Sequence, residues 1–113
     1  MLRIVKILPL DDTSACQYYL RMIKSFRDAD TESLFFGRRM LRWRAIESVI
    51  MRKLAMLNRA GRIDDLRIPP NNRLEKLKGD RKGQWSIRIN DQWCVCFRWI
   101  EADAHDVEIV DYH

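Results

Sequence analysis

A chain of 113 residues, 47% hydrophobic and 33% charged, suits one globular domain with a modest core and is too apolar for a disordered polymer. No apolar run approaches the roughly 18–20 residues of a membrane span. Lysine and arginine number 21 against 16 acids, a net charge of +5 with pI near 9.4, which favours a polyanionic partner such as nucleic acid without requiring one.

The opening MLRIVKILPL resembles a secretory leader, but Lys6 and Pro9 interrupt its apolar run and no small-residue cleavage site follows. Met22 begins a fresh segment. Residues 1–21 therefore read as an N-terminal extension, or as the product of an upstream start, ahead of a single domain over 22–113. Residues 22–26 alternate weakly and suit a short strand. Asp30 or Thr31 is placed to cap a short helix, with Glu32 in its first turn and Gly37 as its stop. The clearest helix lies in 38–61, where Trp43, Ile46, Ile50, Leu54 and Leu57 recur at three- and four-residue spacing, widened by Val49 and Met56. Arg42, Arg44, Arg52 and Lys53 fall outside that stripe and are expected on a solvated basic face. Pro69, Pro70, Asn71 and Asn72 then forbid regular structure.

From Arg73 the hydrophobic period becomes two. A short strand runs into a basic loop, Lys78 to Lys82. QWSIRI puts Trp85, Ile87 and Ile89 on one face; WCVCFRW puts Trp93, Val95, Phe97 and Trp99 on one face; DVEIVDY is the last strand, with His105 in the turn before it. A three-residue loop over 90–92 pairs Ile89 with Trp93, Ile87 with Val95 and Trp85 with Phe97, giving one continuous apolar face. The opposite face then carries Arg88 across from Cys94 and Ser86 across from Cys96. Helices on the apolar side would leave this second face open, an α+β arrangement of two N-terminal helices on one face of a small twisted antiparallel sheet. The three cysteines form no C-x-x-C pair and the two histidines are far apart, so a reducing, cytoplasmic setting and no metal or cofactor are expected.

Arg88 and Arg98 on that face, flanked by Arg73, Lys76, Lys78, Arg81 and Lys82, form a candidate phosphate cradle. The last strand would bring Asp111, Tyr112 and His113 to the rim of the sheet. This set matches the needs of RNA cleavage: a 2′-hydroxyl loses a proton, the leaving oxygen gains one, and charge on the phosphorus oxygens is stabilised. His113 is the natural proton handler, Lys78 and Arg88 the charge stabilisers, and Tyr112 a stacking surface. Each has a bland counterpart: a solvated loop, a frayed strand end, tryptophans that are simply core.

The segments MIKSFRDADTESLF, RLEKLKGDRKGQWSIRINDQW and VEIVDYH together resemble the HigB-type host-inhibition (plasmid maintenance killer) toxins of the RelE/ParE superfamily, over about residues 22–113. The resemblance implies ribosome-dependent, metal-independent cleavage of messenger RNA. It also implies a HigA-type helix-turn-helix antitoxin that neutralises the toxin and carries the pair to operator DNA. Within it, Lys78 matches the active-site lysine, Arg88 a basic position on the open face, and Asp111, Tyr112 and His113 the functional C-terminal triplet. One position departs: Cys94 stands where the family usually has an arginine that holds the scissile phosphate. Two other readings follow from the same resemblance, a ParE-like inhibitor of DNA gyrase and a weakened toxin kept as an antitoxin-binding module.

Overall fold

The computed structural model describes residues 23–111; residues 1–22, with the expected extension, and Tyr112 and His113 lie outside them. Helix α1 spans Ala29–Phe35. Its cap is Asp28 rather than Asp30 or Thr31: one Asp28 carboxylate oxygen accepts from the Thr31 backbone N–H at 3.0 Å and the other from the Thr31 hydroxyl at 2.6 Å. Thr31 is fully buried, and its Oγ1 accepts in turn from the Ile109 N–H at 3.2 Å, tying α1 to the last strand. Gly37, at φ +97°, turns the chain out of the helix.

The long helix expected over 38–61 is two elements. Leu41–Ile46 winds as a 3₁₀ helix with no side-chain cap, and α2 follows over Glu47–Arg59. Trp43, Ile50, Leu54 and Leu57 are buried as the spacing predicts. Lys53 is a correction: it is only 6% exposed. Position 53 lies three residues from Ile50 and four from Leu57, inside the apolar arc. Its ammonium donates to Oδ1 of Asn72, which is fully buried and itself donates to the Leu66 carbonyl at 3.0 Å. Asn72 thereby clamps the connector, itself built of short 3₁₀ turns at Ile63–Arg67 and Pro70–Asn72, against α2.

Strands β1 (Glu75–Lys76), β2 (Trp85–Arg88), β3 (Trp93–Ile100) and β4 (Asp103–Asp111) form an antiparallel sheet in chain order. The β2–β3 register is the one that burial demands: Trp85 opposite Phe97, Ser86 opposite Cys96, Ile87 opposite Val95, Arg88 opposite Cys94. The β3–β4 turn is Glu101–Ala102, both at positive φ, so His105 sits within β4 opposite Arg98 rather than in a turn. The expected first strand reduces to a parallel bridge between Phe26 and Val107, held by Lys24 N–H to Ala104 and Val107 N–H to Ser25. Both helices pack on one face of the sheet, where Leu34, Trp43, Ile50 and Leu54 meet Ile87, Val95, Phe97 and Val107 in a single core. The α+β expectation holds.

The other face is not open throughout. Cys94 is 5% exposed and Cys96 is 1% exposed, packed with Leu77 and Val110 in a second apolar cluster. The loop after β1 folds back over them. Arg81 donates to Gln84 at 3.0 Å and to Glu108 at 3.1 Å, and Arg27 adds a second contact to Glu108 at 3.4 Å. Among the described residues no helix is long and apolar enough to cross a membrane.

Candidate phosphate-binding site at the β2–β3 hairpin

The part of the second face that does stay accessible lies at the hairpin end of β2 and β3. Arg73, Ser86, Arg88 and Cys94 line a concavity there, closed by Glu75 on β1 and by the hairpin through Asn90 and Asp91. Its volume of about 210 Å³ falls below the roughly 300–1,000 Å³ of a small-molecule pocket. It is sized for one group of a larger ligand.

Local chemistry fixes the walls. Asn90 Oδ1 accepts from the N–H groups of Gln92 and Trp93, both at 2.8 Å, so the side chain organises the three-residue loop. Arg73 follows Pro70–Asn72 in a left-handed conformation, φ +45°, which turns the chain towards β1. Arg88 is half-buried and bonded to the carboxylate of Asp91, whose side chain is 92% exposed. An exposed partner of this kind contributes about 0.2–1 kcal/mol. A phosphate held through charge-assisted hydrogen bonds offers about 1.5–3 kcal/mol, so it can displace Asp91 from Arg88.

Of the sequence-level candidates, Arg73, Arg88 and Cys94 meet at this concavity. The others do not line it. Lys78 precedes the 3₁₀ turn Gly79–Arg81 and is exposed; Lys82, just after that turn, is exposed too. Arg81 is committed to Glu108. Lys76 lies over the Trp85 ring at 5.8 Å, and Arg98 pairs with Asp106 at 3.6 Å. Asp111 is opposite Trp93 in the β3–β4 ladder, on the side of the sheet that also carries Val95 and Ile109, whereas Arg88 faces the other way opposite Cys94. The expected convergence of Asp111 with Arg88 on one open face is therefore corrected: Asp111 is an exposed rim residue that accepts from Gln92 Nε2 at 3.0 Å. Tyr112 and His113 lie outside the described residues.

Cys94, expected on an open face, is buried. Its sulfur sits 3.6 Å from that of Cys96. The hydrogen bond to Cys96, with burial second, pushes the Cys94 thiol far above its ordinary value, while the same bond draws Cys96 below its own. Either sulfur can donate in this contact, and Cys94 presents the concavity with a thiol where an arginine would present a cation. Glu75, Asn90 and Asp91 escaped the sequence reading; the hairpin loop that it placed at 90–92 was the available signal for the last two.

Comparison with known proteins gives a consistent family. Residues 21–113 match the profile of the family described as RelE-like toxin of type II toxin-antitoxin system HigB. The chain is 47% identical over 60 residues to Toxin HigB-1 of Vibrio cholerae serotype O1, an alignment covering 53% of this chain and 63% of that protein. It is 44% identical over 41 residues to Endoribonuclease HigB of Proteus vulgaris, covering 36% of this chain and 45% of that one. The chain thus spans less than two thirds of the length of the curated relatives it matches. Among solved structures, a chain of the YoeB-YefM complex from Staphylococcus aureus aligns over 80% of this chain and 97% of its own, at 14% identity and a TM-score of 0.49.

Proposed function

Because the chain belongs to the family of RelE-like HigB toxins of type II toxin-antitoxin systems, we propose that it is a cytoplasmic, ribosome-dependent messenger-RNA endonuclease. On this reading residues 22–113 are the toxin domain, and a helix-turn-helix antitoxin both neutralises it and links it to operator DNA. The observation that carries the RNA-binding part is the concavity in which Arg73 and Arg88 converge. Cleavage forms a bond from the 2′-oxygen to phosphorus and breaks the bond from phosphorus to the 5′-oxygen. The 2′-hydroxyl gives its proton to a base and the 5′-oxygen receives one from an acid. Arg88, once freed from Asp91, carries the charge that builds on the phosphoryl oxygens. Lys78 is held in reserve by its exposure: bound RNA, rather than the free fold, would draw it to the phosphate. His113 handles the proton, and Tyr112 stacks on a base. The test is a cleavage assay on ribosomes programmed with a defined message, with the new 5′ ends mapped. Cuts within translated codons support the reading; an intact message with inhibited gyrase supports the ParE-like alternative instead.

Two variants probe the same site. Asp91→Asn removes the competing carboxylate, and RNA affinity should rise by up to about fivefold, the equivalent of ~1 kcal/mol; a fall in affinity contradicts the displacement. Cys94→Arg should restore a cation at the wall opposite Arg88 and raise cleavage by about ten- to a hundredfold, from 1.5–3 kcal/mol of charge-assisted stabilisation. Because Cys94 is packed among Leu77, Cys96 and Val110, the larger side chain should also cost about 1–3 kcal/mol in urea denaturation. Unchanged cleavage in a folded variant would show that position 94 does not meet the reacting phosphate.

A further inference from the structure

A second concavity adjoins the first across the hairpin. Its wall on one side is α2, through Val49, Arg52 and Lys53; on the other it is Arg88, Ile89 and Asn90, and Asn71 of the connector lines it too. Arg88 and Asn90 belong to both concavities, so the two lie side by side on one continuous surface. The first mixes Arg73 and Arg88 with Glu75 and Asp91; the second carries three cationic side chains and, among the described residues, no acidic one.

Lys53 makes this surface more than a solvated patch. It is 6% exposed, and an ammonium has three donors, of which the Asn72 carbonyl oxygen accepts one. Among the described residues neither Lys53 nor Arg52 has a carboxylate partner. Burial first, and the Arg52 charge second, push the lysine below its ordinary value. A buried cation without a counter-charge is costly, and an anion in the adjoining space relieves both the desolvation and the Arg52 repulsion.

We propose that Arg52, Lys53 and Arg88 hold a second phosphate of the RNA strand whose neighbouring phosphate occupies the concavity of Arg73 and Arg88. This rests on the RNA-binding reading above and extends it: the strand crosses the hairpin from β1 towards α2, so α2 is part of the RNA surface. Ile89 and Val49 supply apolar surface between the cations.

The 113-residue chain is titrated with a 2′-O-methylated ten-nucleotide RNA, which cannot be cleaved, by fluorescence anisotropy across a range of salt. Arg52 is exposed, so Arg52→Gln leaves the fold intact; Arg38→Gln removes the same charge from an exposed site before the helix. Arg52→Gln should weaken binding roughly fivefold and flatten the plot of log affinity against log salt by about 0.7, the share of one single-strand phosphate. Arg38→Gln should do neither. If Arg88→Gln weakens binding and Arg52→Gln behaves like Arg38→Gln, the second subsite is overturned while the RNA-binding reading survives. If wild type does not bind, or Arg88→Gln has no effect, that reading falls and the subsite with it. A parallel arm uses inorganic phosphate alone: a rise in Tm that Arg52→Gln abolishes, with the RNA slope unchanged, assigns the concavity to a free anion and overturns the RNA subsite.

Discussion

Trp43→Ala should remove about 3–5 kcal/mol of folding stability, the largest loss expected from a single core substitution in this chain. Trp43 is fully buried. It meets Trp93 edge to face, with ring centroids 6.2 Å apart and planes at 88°, and so joins the 3₁₀ helix to the first residue of β3. The neighbouring Arg42 guanidinium lies 4.3 Å from the ring centroid and shields it from solvent. Against a typical domain stability of about 5–15 kcal/mol, such a loss takes at least about a fifth of the total. Trp43→Phe separates the two parts of the side chain. The indole N–H has no hydrogen-bond partner, so phenylalanine gives up volume but no hydrogen bond and should cost less than half as much as alanine. Equilibrium urea denaturation at constant m-value measures both; an alanine variant within 1 kcal/mol of wild type would mean that Trp43 does not fasten the helical layer to the sheet.

The sheet was the legible part of the sequence because alternation is a strict constraint. Slipping β2 against β3 by one residue would turn one strand's apolar set to solvent, so the observed pairing of Ile87 with Val95 follows from the alternation and the loop length. The same parity applied to β4 puts Asp111 with Ile109, away from Arg88. The expectation of a shared face came from joining the last strand to the site by its end rather than by its pleat. What no periodicity reveals is how a loop folds back. Leu77, just before the expected basic loop, and Arg81 within it roof Cys94 and Cys96 because Glu108 on β4 supplies the carboxylate that anchors Arg81. Lys53 was misplaced for a different reason: its charge outweighed its position on the helix, although a lysine can be buried when a partner such as Asn72 accepts from it. That partner is 19 residues away and visible only in three dimensions. The candidate site was accordingly half legible. Arg88 and position 94 follow from strand register, while Arg73, the Asp91 latch and the α2 wall depend on tertiary packing.

His113→Ala should lower ribosome-dependent cleavage by about 10²–10⁴-fold, the usual contribution of one general acid or base, and His105→Ala should leave it within about twofold. The contrast tests the proposed function at its chemical step. Histidine is the side chain whose ordinary titration lies nearest neutrality, and this chain has only two. His105 pairs with Arg98 at the far end of β4, six residues before Asp111 and so roughly 20 Å along the strand from the end that Arg88 occupies. It is too distant to exchange a proton with a phosphate held by Arg88. Among the described residues the concavity itself offers arginines, carboxylates, amide and hydroxyl groups, and the neutral thiol of Cys94. No imidazole lines it among the described residues. On the proposed function the proton transfer falls to His113, the residue that the family resemblance selects. Equal losses in both variants, or none in either, would detach the proton transfer from histidine altogether. A loss in His113→Ala with unchanged affinity for the 2′-O-methylated RNA would separate proton transfer from binding, the division of labour expected if Arg73 and Arg88 hold the strand while the terminal imidazole acts on it.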